Sequence, residues 1–280
     1  AGATQPIQIT AEMSATVPDT YYFGDVILTP VGNDEVPAAH LPVVVKLAVF
    51  NAPAHMDIFT AQHAGSVTLT DLQSLLEITD LWVEVSGLTL GTSHALSLYQ
   101  DPTNTEVYDD LDQVFWTTID VPRNTMRLVA EIAASEAYDV DLFIGEGDTP
   151  SDATELCVSA SEIWAEYCNL DHPESGTYWV LVQNWGGSVD TPDAIRAITV
   201  LVPNKDARNL TVTDLGAVPA LELFDLDVSW DEPDMVFGDY WYAQFSVGTD
   251  EEGAGNLGYV NVDLEFIETL WTVLPLILKN

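Results

Sequence analysis

Hydrophobic and polar residues alternate with a period of two along much of the chain, which is the pattern of half-buried β-strands. Residues 127–132 (Arg-Leu-Val-Ala-Glu-Ile) open one such segment. In residues 139–145, Val140, Leu142 and Ile144 fall on one face, and the intervening positions fall on the other. The pattern predicts an all-β chain.

Short segments of the same kind recur between Gly, Pro and Asp turns. Residues 47–60 are expected to be irregular, and residues 71–78 are expected to form one helical turn from Asp71 or another strand, with the strand favoured. Trp230 shares a face with Val228, so we expect it in a core. The predicted strands are 7–11, 21–30, 40–46, 65–70, 81–90, 176–185, 210–214, 224–230, 239–248 and 258–266.

Two polar stretches separate groups of predicted strands. One covers residues 100–112, and the other covers residues 204–209, which hold two of the seven basic residues. We therefore predict three sandwich-like units, at residues 1–108, 109–203 and 204–280.

The middle unit carries a specific order of features: a strand, an acidic D-x-D-L strand, a cysteine pair and the segment G-T-Y-W-V-L-V. This order resembles the bacterial pre-peptidase C-terminal domain, a jelly-roll-like β-sandwich found behind the catalytic domains of secreted proteases. The resemblance covers roughly residues 114–203.

The flanking segments resemble other parts of the same protease architecture. The series Y-x-F-G-x-V-x-L-T-P followed by A-H-L-P-V-V-V, at residues 21–45, is similar to the last strands of the fibronectin type III-like domain that follows the catalytic domain in many subtilisin-like serine proteases. The segments W-Y-A-x-F-S-V-G-T and G-N-L-G-x-V-x-V-D-L resemble its terminal immunoglobulin-like domain. The resemblance implies tandem β-sandwiches, jelly-roll-like and immunoglobulin-like.

The sequence contains only part of the predicted fibronectin-like domain. Such a sandwich has about seven strands, and three or four are visible before Lys46. We expect the others upstream in a longer parent, or on a neighbouring copy, unless residues 66–98 refill the sandwich. The expected partner is therefore the upstream protease domain or another copy of the chain, with a protein or polysaccharide surface as a further candidate.

The charge of the chain limits its partners. It has 280 residues, of which 45 are acidic and 7 basic, giving a net charge of −38. Such a surface repels nucleic acids and anionic membranes and attracts cations. Solubility in a salty external medium and dedicated cation sites both explain it. No apolar run reaches the ~20 residues of a membrane span, and residues 1–5 lack the features of a signal peptide.

The two cysteines, Cys157 and Cys168, are separated by ten residues and flanked by predicted strands. Without a histidine cluster nearby they make a poor zinc site, so we predict a disulfide. A disulfide indicates a secreted, extracellular or cell-surface protein.

Asp109, Asp110 and Asp112 form the main candidate metal site. Domains of bacterial collagenases that are similar to the middle unit bind calcium near the junction of linker and domain, which implies calcium here. Carboxylate clusters suit Ca²⁺, whereas a solvated acidic linker is the alternative. Asp139 and Asp141 are a second acidic pair, and we interpret Asp141 as structural. No other cofactor is expected.

Aromatic residues on the strands are candidates for a binding surface. Alternation places neighbours such as Tyr178 and Trp179 on opposite faces, so one of each pair should be exposed or at an interface. The candidates are Tyr178, Trp179, Trp185 and Trp241. Strand packing is the alternative.

The segment 91–95 (Gly-Thr-Ser-His-Ala) echoes the sequence around a subtilisin nucleophile. The chain lacks the H-G-T and D-T/S-G stretches that supply the base and the acid, and Ser93 is expected in a turn. The other histidines, including His55, show no H-x-H or i,i+4 spacing and are expected to be solvated or at a core edge. We therefore expect a chain that is not itself an enzyme, although its parent is a serine endopeptidase.

The expected function is that of a non-catalytic C-terminal accessory region of a secreted subtilisin-like protease, for substrate or surface binding, positioning or secretion. The alternative is an extracellular filament subunit assembled by strand sharing between chains. The mass of the native particle separates the two.

Overall fold

The computed structural model describes residues 21–29, 37–46, 48–213 and 215–268. Over these ranges it consists of strands and loops with one short 3₁₀ turn at Asp152–Thr154, which confirms the all-β prediction. The first strands are β1 (Tyr21–Leu28), β2 (Ala39–Lys46), β3 (His55–Thr60), β4 (Ala64–Gln73), β5 (Trp82–Leu90), β6 (Thr92–Leu98), β7 (Phe115–Val121), β8 (Thr125–Ser135) and β9 (Asp139–Glu146). They are followed by β10 (Glu155–Ser159), β11 (Tyr167–Asp171), β12 (Gly176–Gly186), β13 (Asp193–Pro203), β14 (Leu210–Val212), β15 (Leu223–Asp231), β16 (Tyr240–Gly248) and β17 (Gly258–Phe266).

Strands β6 to β13 form one β-sandwich, which we call the inserted sandwich. Its sheets have the strand orders β10-β9-β12-β7 and β11-β8-β13-β6. The alternation in β9 is confirmed, because every second side chain points into the core between the sheets. That core includes Leu128, Val140, Leu142, Ile144, Val180 and Val182.

Strands β3 to β5 and β14 to β17 form a second β-sandwich, which we call the outer sandwich. Its sheets have the orders β14-β15-β4 and β3-β17-β16-β5. Trp230 lies in its core, as predicted, and its indole Nε1 donates a hydrogen bond to the carbonyl of Gln62 at 2.9 Å. The core also includes Leu226, Val228, Ala243, Phe245, Val262 and Leu264.

The strand pairing does not follow the predicted unit boundaries. β4 pairs with β15, β5 with β16 and β3 with β17. Strands expected in the first unit thus form sheets with strands expected in the third, while β6 pairs with β13 of the middle unit. The boundaries shift because these pairings join segments more than 90 residues apart, which a pass along the sequence cannot see.

The chain crosses between the sandwiches twice, and the two crossings lie side by side. The first passes from β5 to β6 through Gly91, and the second leaves β13 at Pro203. The Gly87 amide donates to the Lys205 carbonyl at 3.2 Å. Gly91 lies so close to the facing sandwich that a Cβ atom there would overlap the side chain of Ile198. The ends of the inserted segment therefore meet, as an insertion into another domain requires.

The stretch 100–112, predicted as a polar linker, packs as a lid on the outer face of the β9–β12 sheet. Its partly buried Val107, Tyr108 and Leu111 contact a cluster that contains Phe143 and Trp179. The Tyr108 hydroxyl donates a 2.6 Å hydrogen bond to Glu155. The apolar positions within this polar stretch therefore anchor it to the sheet.

Two further regions bear on the predictions. Residues 55–60, expected to be irregular, form β3, whereas β4 extends through Asp71 to Gln73, in agreement with the favoured alternative. Strands β1 and β2 pair antiparallel from Tyr21↔Lys46 to Leu28↔Ala39. The strand predicted at residues 7–11 lies outside the described residues. Within those residues no helix is long and apolar enough to cross a membrane.

Candidate functional site

The predicted disulfide is present, with the sulfur atoms of Cys157 and Cys168 separated by 2.07 Å. Cys157 lies on β10 and Cys168 on β11, which are edge strands of the two different sheets of the inserted sandwich. The bond therefore links the two layers at one edge.

The three aspartates predicted to bind calcium lie in turns of the lid. The Asp109 carboxylate accepts a 3.0 Å hydrogen bond from the Thr103 hydroxyl, and the Asp110 carboxylate accepts one of 3.1 Å from the amide of Asp112. Within the described ranges, three metal-ligand atoms from different side chains come within 4.8 Å of one another only at His55, Asp57 and Asp263. The calcium site at the three aspartates stays a prediction, and the group of His55, Asp57 and Asp263 is a separate candidate.

Most of the aromatic residues predicted as a binding surface are buried. Tyr178 is 3% exposed, Trp179 is fully buried and Trp241 is 8% exposed. The prediction failed because both faces of these strands are covered: Tyr178 points into the sandwich core, and the lid covers Trp179. Trp185 is partly exposed and lines a surface cavity.

Ser93 and His94 are neighbours on β6, so their side chains point to opposite faces of the sheet. The Ser93 hydroxyl accepts a 3.2 Å hydrogen bond from Arg196 Nε, and His94 Nε2 lies 2.8 Å from the Thr199 hydroxyl. The expectation of a turn at Ser93 was wrong. The geometry does not pair this serine with this histidine as nucleophile and base.

The two sandwiches meet at a buried arginine. Arg127 on β8 is fully buried, and its guanidinium reaches across to the outer sandwich. Its Nη1 donates to the Ala243 carbonyl at 2.8 Å and to Asp263 Oδ1 at 2.7 Å. Its Nε donates to Asn169 Oδ1 at 2.8 Å, and Nη2 donates to the Tyr167 hydroxyl at 2.7 Å. A buried charge is tolerated only when it is paired and hydrogen-bonded in this way.

Asp263 is the partner of this arginine and also meets a histidine. Its Oδ2 accepts a 2.7 Å hydrogen bond from the Tyr167 hydroxyl and lies 3.2 Å from His55 Nε2, which is 3.3 Å from Asp57 Oδ1. Burial alone would raise the pKa of Asp263, but His55 and Arg127 outweigh it and lower that pKa. We call His55, Asp57, Arg127, Tyr167 and Asp263 the junction cluster.

The strand register explains why these residues converge. His55 and Asp57 are two positions apart on β3 and so share a face. β3 runs parallel to β17, with Asp57 opposite Asp263. The hydrogen bond to Asp263 is the main cause that raises the pKa of His55. The arrangement can hold a proton between three groups, or a cation in its place.

A narrow pocket of about 180 Å³ opens beside the junction cluster. Glu131 lines it, and burial together with the charge of Asp263 raises the pKa of Glu131 to about 7. The hydroxyl of Tyr242 is buried there and interacts with Glu131. The pocket is thus rich in carboxylates.

A second group of buried carboxyls lies within the inserted sandwich. Asp139, Asp141 and Glu166 are 6%, 8% and 3% exposed, and we call them the mouth cluster. Glu166 accepts hydrogen bonds from the hydroxyls of Ser159 and Ser161. Burial, with the charges of Asp139 and Glu166, raises the pKa of Asp141 to about 7. This agrees with a structural role for Asp141 but shows an unfavourable environment for its charge.

Sequence reasoning missed the junction cluster. The signal in the sequence was H-x-D at residues 55–57, which places two ligand-type side chains on one face of a strand. It was overlooked because residues 47–60 were read as irregular and because the third residue, Asp263, lies more than 200 positions away.

No family model and no curated protein matches the sequence. Among solved structures, the chain is similar to the M60 catalytic domain with the CBM51-1 and CBM51-2 domains from Clostridium perfringens ZmpB, at 12% identity. The match covers 88% of this chain and 26% of that chain, with a TM-score of 0.22. A TM-score of this size carries no argument about fold or function.

Proposed function

We propose that the chain is a non-catalytic accessory region of a secreted subtilisin-like protease, and that it docks to the rest of its parent through the β1–β2 hairpin. The hairpin is the observation that carries this proposal. Among the described residues its strands pair only with each other. A two-stranded sheet alone is marginally stable in water, so a hairpin of this kind needs a further surface to pack on.

The side chains of the hairpin support docking. Phe23 is 80% exposed, Ile27 55%, Leu41 44% and Val44 56%. Apolar exposure concentrated on one small sheet is typical of an interaction surface. We infer that strands of the parent extend this sheet and cover these side chains, as the resemblance to the last strands of a fibronectin type III-like domain implies.

Two other observations fit the proposal. The disulfide suits a chain that folds in an oxidising environment, outside the cytoplasm. Ser93 and His94 form hydrogen bonds with Arg196 and Thr199 rather than a nucleophile–base pair, which favours a role in binding or positioning over catalysis.

The proposal is tested by mixing the chain with a separately produced upstream protease segment and measuring the mass of the particle by light scattering. We expect a one-to-one complex, and we expect the Phe23→Ser variant to weaken it at least tenfold. The Phe237→Ser variant is the matched control, because Phe237 is also exposed, at 67%, but lies far along the chain in the loop before β16.

Other outcomes separate the alternatives. A mass that grows with the concentration of the chain alone, and that Phe23→Ser abolishes, would indicate the filament subunit built by strand sharing. A monomer that ignores the protease segment, or a complex equally weakened by both substitutions, would refute docking through the hairpin.

A further inference from the structure

The junction cluster has the geometry of a metal site as well as that of an ion-pair network. Nε2 of His55 lies 3.3 Å from Oδ1 of Asp57 and 3.2 Å from Oδ2 of Asp263. Two ligands that each stand about 2.1 Å from one tetrahedral zinc ion are themselves about 3.4 Å apart. The two separations from His55 therefore match edges of a tetrahedral site, and all three ligand atoms lie within 4.8 Å of one another.

The surrounding groups are arranged as the outer shell of a metal site commonly is. Asp263 accepts hydrogen bonds from the Tyr167 hydroxyl at 2.7 Å and from Arg127 at 2.7 Å, which fix the orientation of its carboxylate. Groups that orient a ligand in this way hold the inner ligands of metal sites in position. His55 and Asp57 lie on the solvent side, with side chains 35% and 65% exposed, so an ion can enter.

The charge of the adjoining pocket points the same way. Four carboxylates line it, and the guanidinium of Arg127 is already paired with one of them, Asp263. Tyr242 is 1% exposed, lines the pocket and interacts with Glu131. The excess of carboxylates beside the junction cluster favours a cation there. The four carboxylates are Asp57, Glu131, Asp263 and Glu265.

We propose that His55, Asp57 and Asp263 bind one divalent transition-type cation, such as Zn²⁺ or Mn²⁺, at the junction of the two sandwiches. An imidazole nitrogen with two carboxylate oxygens suits these ions, whereas Ca²⁺ prefers a set of oxygen ligands only. Because the ligands come from β3 and β17, the ion tightens the parallel pair that lies next to Arg127. The site is separate from the hairpin, so it stands or falls independently of the proposed docking.

The test is calorimetric titration of the chelator-treated chain with ZnCl₂, MnCl₂ and CaCl₂. We expect one site per chain for zinc or manganese, with calcium at least tenfold weaker. The Asp57→Asn and His55→Gln variants should each lower the zinc or manganese affinity at least tenfold. Asp148→Asn and His63→Gln are the matched controls, since they remove an exposed aspartate and an exposed histidine elsewhere and should leave the affinity unchanged.

The melting temperature shows whether each variant is folded. Without metal, Asp57→Asn should melt within a few degrees of the unsubstituted chain, and added zinc should raise the melting temperature of the unsubstituted chain but not of this variant. Absence of a one-to-one site, or equal loss of affinity in the controls and the junction variants, would overturn the proposal and leave an ion-pair network alone.

Discussion

The junction cluster and the mouth cluster bury the same chemical group in opposite electrostatic settings. At the junction, Asp263 has a lowered pKa because His55 and Arg127 outweigh the effect of burial. At the mouth, Asp141 has a pKa raised to about 7 by burial and by its acidic neighbours Asp139 and Glu166. The comparison teaches that burial does not by itself decide the charge of a carboxyl; the partner does.

The carboxyls of the two clusters also have different roles in holding the fold together. The junction carboxylate is paired across two sandwiches, so its charge contributes to holding them together. The mouth carboxyls lie within one sandwich, where neutral serine hydroxyls are among their donors. The raised pKa values of Asp139 and Asp141 mean that ionisation of these two carboxyls costs stability.

The largest expected effect on stability comes from removing the positively charged side chain of Arg127 from the junction cluster. The Arg127→Ala substitution leaves Asp263 buried beside empty space and should lower the free energy of unfolding by about 3 to 5 kcal/mol. Urea unfolding at pH 8 in the presence of a chelator measures it. The exposed Arg123→Ala is the control, with an expected change within about 0.5 kcal/mol. Equal effects of the two substitutions would show that the junction is not held by this charge pair.

Packing at the same junction should be the next most sensitive. A methyl group at Gly91 would overlap Ile198 and would stand 3.0 Å from the ring of Tyr242. Gly91→Ala should therefore cost about 1 to 3 kcal/mol in the free energy of unfolding. Gly176→Ala, where the nearest atom to a new Cβ is 3.9 Å away, is the control. A tolerated Gly91→Ala would mean that the sandwiches can separate without loss.

In the mouth cluster the charge of a carboxyl has the opposite effect on the free energy of unfolding, because it destabilises the folded chain. The pKa of Asp141 is about 7 in the folded chain, against about 3.9 when unfolded, so wild-type stability falls as pH rises from 4 to 7. Asp141→Asn removes this penalty and should stabilise the chain at pH 8 by about 1 to 2 kcal/mol. This is less than the roughly 4 kcal/mol of a full three-unit shift, because the carboxyl lines a surface cavity where solvent screens its charge.

Unfolding curves at pH 4 and pH 8 check this prediction. The gain should be present at pH 8 and absent at pH 4, and the exposed Asp152→Asn should show no gain at either pH. A gain of the same size at both values would mean that the amide improves packing and that the charge of Asp141 is not the cause.

The smallest expected effect concerns the neutral donors of the mouth cluster. Ser161 donates to Glu166 from its hydroxyl and, at 2.9 Å, from its backbone amide. Ser161→Ala removes only the hydroxyl bond and should cost about 1 kcal/mol. Thermal unfolding measures the loss of stability, and Ser175→Ala, which alters an exposed serine, is the control variant. An unchanged melting temperature would show that the Ser161 amide and the Ser159 hydroxyl satisfy Glu166 without the Ser161 hydroxyl.

Local patterns in the sequence predicted the strands well. The alternation of Val140, Leu142 and Ile144, the core position of Trp230 and the disulfide were confirmed because each depends on neighbours along a strand or on a short loop. The binding-surface aromatics were not, because the exposure of Trp179 depends on where the lid packs.

The candidate site was beyond the reach of the same patterns. It requires β3 to lie beside β17 and Arg127 to reach across from another sandwich, and both contacts join segments far apart in the chain. The polar stretch at residues 100–112 suggested a domain boundary because its composition is that of a linker. Its few apolar residues instead pack on the inserted sandwich, so the stretch belongs to that sandwich.

Because the chain leaves the outer sandwich at Gly91 and returns to it after Pro203, the two sandwiches are completed at different times during synthesis. The inserted sandwich is complete once β13 has been made, whereas β5 waits for β16, which begins 150 residues after Leu90. At ~5–20 residues per second the ribosome needs roughly 8 to 30 s for that stretch. We expect the inserted sandwich to fold in that interval, because all of its strands have been made while β3 to β5 still lack their partners. Its two ends, once together, bring β14 to β17 to the strands with which they pair.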